Sequence, residues 1–179
     1  MEGKLVRLRP YQKTDIEDLM KWVNDEEVTR YLGSQMTPPA SRSGEEAFLE
    51  MAMTHSETHK VFAIETMARE YAGGIDLRVI DQIDRRAEVG IVIGVKDFWG
   101  RGYGTEAMRL MLRFAFGRLN LNRVSLRVFD YNQRAIKSYE KCGFIREGLL
   151  RQDRYYDGQY HDTLVMAILR REFEALANQ

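Results

Sequence analysis

Three glycines alternate with larger residues in Gly100-Arg101-Gly102-Tyr103-Gly104. They stand between an apolar run, Val92-Ile93-Gly94-Val95, and a helical pattern that runs from Thr105 to about Leu119. A strand that turns into a helix through such a segment lets a ligand approach the backbone, because glycine has no Cβ to keep it away. The first N–H groups of a new helix have no intrahelical partner and favour an anion. The segment therefore reads as a phosphate cradle in the middle of the chain.

The periodicities on either side give a mixed architecture. Lys4 to Pro10 alternates apolar and basic residues and reads as a strand. Thr14-Asp15-Ile16-Glu17 looks like a helix cap with a glutamate three residues on, and Ile16, Leu19, Met20 and Val23 continue an inner helical face. A short helix is expected over Asp25–Leu32, a loop over Gly33–Ser43 and another helix from Glu45 to about Thr54. Lys60–Glu65, Ala72–Val79 and Ala87–Ile93 read as three neighbouring strands, and Arg123–Val128 as a fourth beyond the glycine turn. Asn132–Lys141 is helical and Gly143 ends it. Phe144–Arg154 and Asp162–Leu169 close the chain as two strands, with Asp157-Gly158 as the turn signal between them. The fold class is α/β, a mixed sheet with helices packed on its faces. No repeat or linker divides residues 1–179, so one domain is expected, with acceptor-side helices over about 1–58 and a donor-binding core over about 59–179.

Composition narrows the partners. The 27 basic and 27 acidic residues balance, so no broad field draws nucleic acid or an anionic membrane. Cys142 is the single cysteine and the three histidines are scattered, so neither an intrachain disulfide nor a metal site is expected. The N-terminus lacks the apolar core of a signal peptide and no run is long enough to span a bilayer, which makes a complete, cytoplasmic protein the default expectation.

The owner of the phosphate is open on the glycines alone. A dinucleotide fold uses Gly-x-Gly-x-x-Gly with an acid about 20 residues on, whereas the spacing here is Gly100-x-Gly102-x-Gly104 followed by Thr105. A Walker loop needs Gly-Lys-Ser or Gly-Lys-Thr, which the chain lacks. A tight turn with no ligand stands as an equal alternative.

A second segment, Asn132-Gln133-Arg134-Ala135-Ile136-Lys137-Ser138-Tyr139-Glu140-Lys141-Cys142-Gly143-Phe144, follows the next strand. Together the two segments resemble the GNAT superfamily of N-acetyltransferases. Phe98 to Ala107 and Leu119-Asn120-Leu121-Asn122-Arg123 are similar to the branch that contains ribosomal-protein N-terminal and spermidine acetyltransferases. The resemblance implies acetyl-CoA as donor and a splayed pair of strands that admits its pantetheine arm. It implies backbone contacts to that arm from Val92, Ile93 and Gly94, with Asn132 beside it. It also implies a pyrophosphate held by the N–H groups from Gly100 through Arg101, Gly102, Tyr103 and Gly104 to Thr105. Trp99 departs from the superfamily's Gln or Arg but is found in the resembling branch. Glu106 suits the helix dipole yet is unwelcome beside a phosphate, so it is expected to point away.

Acetyl transfer to an amine needs a neutral nucleophile, a stabilised oxyanion and a protonated thiol leaving group. A backbone N–H on the splayed strand serves the second need. A phenol, with a reference pKa of about 10, serves the third. Tyr139 lies two helical turns after Asn132 on the same face and is the candidate acid. Asn132 also suits a helix N-cap, and Tyr139 also suits an amphipathic core position. Glu88 is a candidate base or a solvated strand residue, and Cys142 reads as a packing residue. Tyr155, Tyr156, Tyr160 and His161 flank the last turn and suit either the acceptor site or a dimer contact.

The acceptor is expected to be a primary amine: a polyamine, a protein N-terminus or a small molecule. Asp25, Glu26, Glu27, Glu45 and Glu46 offer negative charge near the first helices. Two other readings stay open, a non-catalytic module that binds acetyl-CoA and a nucleotide-binding enzyme that uses the glycine turn. A homodimer is implied by the resemblance only.

Overall fold

The computed structural model describes residues 1–33 and 39–177. Residues 34–38 of the expected loop lie outside the described part. The elements are β1 Val6–Arg9, α1 Ile16–Trp22, α2 Glu26–Thr29, α3 Arg42–Met53, β2 Lys60–Thr66, β3 Tyr71–Asp81, β4 Arg86–Ile93, α4 Tyr103–Arg113, β5 Arg123–Phe129, α5 Gln133–Lys141, β6 Ile145–Tyr156, β7 Gln159–Leu169 and α6 Arg170–Ala177. The strands form one seven-stranded sheet in the order β1-β2-β3-β4-β5-β7-β6. All neighbours are antiparallel except β4 and β5.

The parallel pair is short. Arg86, Ala87 and Glu88 pair with Arg123, Ser125 and the Val124 between them, and pairing stops there. β4 continues to Ile93 and β5 to Phe129 with no partner across the widening gap.

Each face of the sheet buries its own layer. On one face α4 brings Ala107, Met108, Leu110, Met111 and Leu112 onto Ile75, Leu77 and Val89 of β3 and β4 and onto Leu126 of β5. Ile136 of α5 and Phe173 of α6 pack into the same core. On the other face Ile16, Leu19 and Trp22 of α1 and Leu49 of α3 cover Ala63 and Tyr71. These are the two sides of a pleated sheet, whose alternation sends successive side chains to opposite layers.

Three local readings are corrected. Thr14 is exposed and caps nothing; the buried Asp15 accepts from the Gln12 N–H at 2.8 Å and takes a two-pronged bond from Arg9 at 2.7 and 2.8 Å. Arg9 also donates to Glu65 at 2.6 Å, so an ion cluster ties β1, β2 and the start of α1 together. The long helix begins at Tyr103, two residues before the expected Thr105, and gives way after Arg113 to one wide turn over Phe114–Arg118. The last segment, after β7, adds α6, which no pattern had marked.

Glu106 does turn away from the glycine segment. Its carboxylate accepts the backbone N–H groups of Lys4, Leu5 and Val6 at 3.0, 2.6 and 2.8 Å. Burial works to raise its pKa, but the three N–H bonds outweigh it and hold the group below the ordinary carboxylate value. The stabilisation is therefore complete above pH 5 and is lost as pH falls through the lowered pKa. Glu106→Ala strands those donors and is expected to cost about 2 kcal/mol, or roughly 5 °C in melting temperature. Calorimetric melts of both proteins from pH 7 to pH 3 check this. The gap should be full at neutral pH and shrink in acid.

Candidate active site

The gap between β4 and β5 opens into a cleft of about 1290 Å³. The glycine turn and α5 line it on one side of the sheet, and α1 and α3 line it on the other.

The edge of β4 can be read from the ladder. The Gly94 N–H donates to Ala72 O at 2.9 Å, so Gly94 belongs to a hydrogen-bonded pair with β3. Antiparallel pairs alternate, which puts Val92 with Gly94 and turns Ile91 and Ile93 toward the gap. Two contacts share this phase: Ser125 Oγ reaches Ala87 O at 3.4 Å and Trp99 Nε1 donates to Ile93 O at 2.7 Å. Of the three residues expected to offer backbone groups here, Ile93 faces the gap. Val92 faces β3, the Gly94 N–H is bonded there, and the Trp22 indole covers Gly94. Ile91, absent from the sequence reading, takes their place.

Gly100 and Gly102 adopt φ of +74° and +88°, a region that side-chain-bearing residues rarely enter. Gly102 is the N-cap of α4, and the Glu106 N–H closes the first helical bond on Gly102 O at 3.0 Å. The N–H groups of Tyr103, Gly104 and Thr105 thereby lack helical partners at the positive end of an 11-residue helix. Gly100, Gly102, Gly104 and Thr105 line the cleft; Arg101 and Tyr103 do not, Arg101 being exposed and Tyr103 packed on Phe98.

Asn132 caps α5 by accepting the Ala135 N–H at 3.2 Å. It also lines the cleft, as does Tyr139 two turns on. Tyr139 is half-buried with its ring on Phe144, and burial raises its phenol above the ordinary tyrosine value. The phenol hydroxyl makes no hydrogen bond among the described residues and is a neutral donor at physiological pH. Thr105 Oγ1 bonds Ser138 Oγ at 2.7 Å, which fixes α5 against the start of α4. Cys142 packs beneath, 3% exposed, with its thiol pushed up to about 11 by burial.

Sequence reasoning missed several wall residues. Arg134 lies 3.7 Å over the Trp99 ring and 5.5 Å from the Tyr31 ring, and Lys137 and Lys141 follow it along α5 beside the glycine turn. Their one sequence signal was the i, i+3, i+7 spacing of three cations along one stripe of α5, about half a turn round from Asn132 and Tyr139. Glu88 lines the cleft but is engaged by Arg78 at 2.7 and 3.1 Å, and Asp76 by His59 at 2.8 Å. Of the acids near the first helices, Asp25 and Glu27 hold Lys96, Glu46 holds Arg42 and Glu26 accepts from Tyr156. Only Glu45 lines the cleft, its pKa raised by burial.

Unpaired strand-edge amides, a glycine turn at a helix start and a phenol on the facing helix are the parts of an acyl-CoA transferase. The cleft runs from the glycine turn past Asn132 and Tyr139 to the α1 and α3 side, and no Cβ intrudes at Gly100. The family model described as acetyltransferase (GNAT) domain matches residues 6–145, and the chain belongs to this family. A spermidine N(1)-acetyltransferase of Escherichia coli K12 is 31% identical over 175 residues, covering 95% of this chain and 89% of its own. A putative ribosomal N-acetyltransferase of Bacillus subtilis is 32% identical over 149 residues, 74% of this chain and 81% of its own. The crystal structure of a Vibrio cholerae spermidine N-acetyltransferase, in complex with CoA and spermine, superposes with a TM-score of 0.85. It is 27% identical and is matched over 94% of this chain and 98% of its own. The chain is an N-acetyltransferase and acetyl-CoA is its acetyl donor.

Gly102→Val forces a β-branched residue into positive φ and is expected to weaken acetyl-CoA binding at least tenfold, with a stability loss of about 1–2 kcal/mol. Gly104→Ala should keep the fold, because its Cβ would sit 3.5 Å from the nearest atom, Ile93 Cγ1. Titration calorimetry and thermal melts of the two variants distinguish them.

Proposed function

We propose that this enzyme acetylates a primary amine with Tyr139 as the general acid. The observation that carries the reading is the placing of a neutral, half-buried phenol on the cleft wall opposite the unpaired edge of β4. Acetyl-CoA supplies an acyl thioester whose carbonyl carbon accepts the amine.

The chain's own groups divide the work. The N–H groups of Gly104 and Thr105 hold the pyrophosphate, with Lys137 and Lys141 adding charge from α5. The free groups of Ile91 and Ile93 continue β4 by pairing with the pantetheine amides, as an added strand would. An N–H on that edge also faces the oxygen that gains charge as the amine attacks. Tyr139 gives its proton to the departing sulfur. Asn132 keeps α5 in register through its cap and turns its amide toward the pantetheine arm. Arg134, stacked on Trp99, holds the indole that ties down Ile93 O.

The amine enters from the side of α1 and α3. The similarity to both spermidine and ribosomal acetyltransferases supports a primary-amine acceptor as the class. A homodimer remains part of this proposal, with β6 as an edge strand of the sheet.

Tyr139→Phe removes only the hydroxyl. Turnover on a productive amine is expected to fall about 10²-fold or more, while the Kd for acetyl-CoA changes less than about threefold. Steady-state thiol release and calorimetric titration measure the two quantities. Unchanged turnover would exclude Tyr139 as the acid, and binding of acetyl-CoA without turnover on any amine would favour a non-catalytic module.

A further inference from the structure

Gly90 stands within β4 on ordinary strand backbone, so its lack of a side chain answers to its surroundings and not to its φ. A Cβ at this position would lie 2.5 Å from Asp76 Oδ1 and 3.1 Å from Arg78 Nη1. Asp76 pairs in register with Gly90, and its chain neighbours Ile75 and Leu77 are buried in the α4 layer. The alternation of the strand therefore sends Asp76 to the face of α1 and α3, where Val61, its partner on β2, also packs. The glycine leaves room for a carboxylate over β4, one residue before Ile91, whose backbone groups face the gap.

The two oxygens of Asp76 differ. Oδ2 lies 2.8 Å from His59 Nε2 and 3.9 Å from Arg78 Nη1. Oδ1 makes no hydrogen bond among the described residues, and Asp76 lines the cleft. Glu88, the carboxylate beside it on β4, takes two bonds from Arg78 on one oxygen at 2.7 and 3.1 Å. That partner is a guanidinium, which neither gives up nor accepts a proton. His59 comes from just before β2, where its backbone N–H donates to Ser56 Oγ at 3.1 Å. Three further groups face this floor. The Tyr11 phenol, before α1, is pushed up to about 12 by burial; Glu45 of α3 is also raised by burial; and Arg127 lines the cleft from β5 across the gap.

We infer that Asp76 is the general base of the transfer and that His59 is a positioning residue for it. The inference rests on the acetyl-transfer reading above and supplies the proton acceptor that reading lacks. An alkyl amine, with a pKa of about 10, arrives as the ammonium ion at neutral pH. Asp76 Oδ1 takes one proton from it and frees the lone pair. The nitrogen then bonds to the acetyl carbon, and the carbonyl electron pair moves onto oxygen. Oδ1, having passed the first proton to water in the cleft, takes a second from the nitrogen. The pair on oxygen returns, the C–S bond breaks, and the sulfur takes the Tyr139 proton. Of the two protons that leave nitrogen, one restores Tyr139 and the other goes to solvent. His59 on Oδ2 keeps the carboxylate turned over Gly90 throughout.

Thiol release is measured with spermidine, phenethylamine and a peptide with an N-terminal serine. The acceptor turned over fastest is followed from about pH 6.5 to about pH 9.5, each variant being first checked by thermal melt. Asp76→Asn should lower kcat about 10²-fold at neutral pH, with KM for the amine and Kd for acetyl-CoA each within about threefold. The deficit should shrink as pH rises toward about 10, where the amine loses its proton unaided. Gly90→Ala keeps the carboxylate but displaces it; it should show the same loss of kcat, and it carries the test if Asp76→Asn melts early. His59→Leu should lose about tenfold in kcat, and His59→Gln, which can still donate to Oδ2, should recover most of it. Four results would overturn the inference while leaving acetyl transfer intact: kcat unchanged in folded Asp76→Asn or Gly90→Ala, a loss carried by KM alone, a deficit constant with pH, or a pH-dependent deficit in Glu88→Gln instead. Absence of turnover on every amine would overturn the acetyl-transfer reading and this one with it.

Discussion

The departure of β4 from β5 after three paired residues governs the rest of this molecule. A buried strand edge without a partner is unfavourable, because each free N–H and C=O loses water and gains nothing in return. Here the loss is confined. Trp99 satisfies Ile93 O, and the remaining groups of Ile91 and Ile93 face a cleft that a ligand's amides can fill. The fold holds a gap in its own sheet open, and in the proposed reading the amides of the donor complete the missing ladder.

Holding the gap open requires rigid walls. On one face, the Thr105–Ser138 bond and the Arg109 bond to Lys141 O at 3.0 Å lock α4 to α5. Glu106 anchors the start of α4 to the chain entering β1, so the glycine turn is fixed at both ends. On the other face, the Arg9–Asp15–Glu65 cluster sets α1 against β1 and β2, and the Trp22 indole sits on Gly94 at the end of β4. Tyr31 and Tyr131, 6.0 Å apart, carry that face across the cleft to β5. In the proposed reading, donor and acceptor reach the same opening from opposite layers.

Much of this was legible in the sequence because it depends on local periodicity. The strand alternations, the glycine turn and the shared face of Asn132 and Tyr139 are all short-range signals. What escaped depends on distant partners. Asp15 displaces Thr14 as the capping residue because Arg9 reaches it from β1. Which backbone groups face the gap follows from the phase of the β3–β4 ladder, and that is set by Gly94 and Ala72 rather than by residue type. Arg134 and Arg154 look like solvated charges along their own elements, yet each stacks on an aromatic ring brought in by another element. The acids of the first helices had suggested a polyamine cleft, but most are neutralised by nearby cations or turned outside it.

The central claim is that the free edge of β4 receives the pantetheine arm. Amide hydrogen exchange at single-residue resolution, with and without saturating acetyl-CoA, tests it directly. The N–H groups of Ile91 and Ile93 should slow at least tenfold on binding, while those of Val92 and Gly94, already bonded to β3, should change little. Unchanged exchange at Ile91 and Ile93, with protection confined to other segments, would contradict the account.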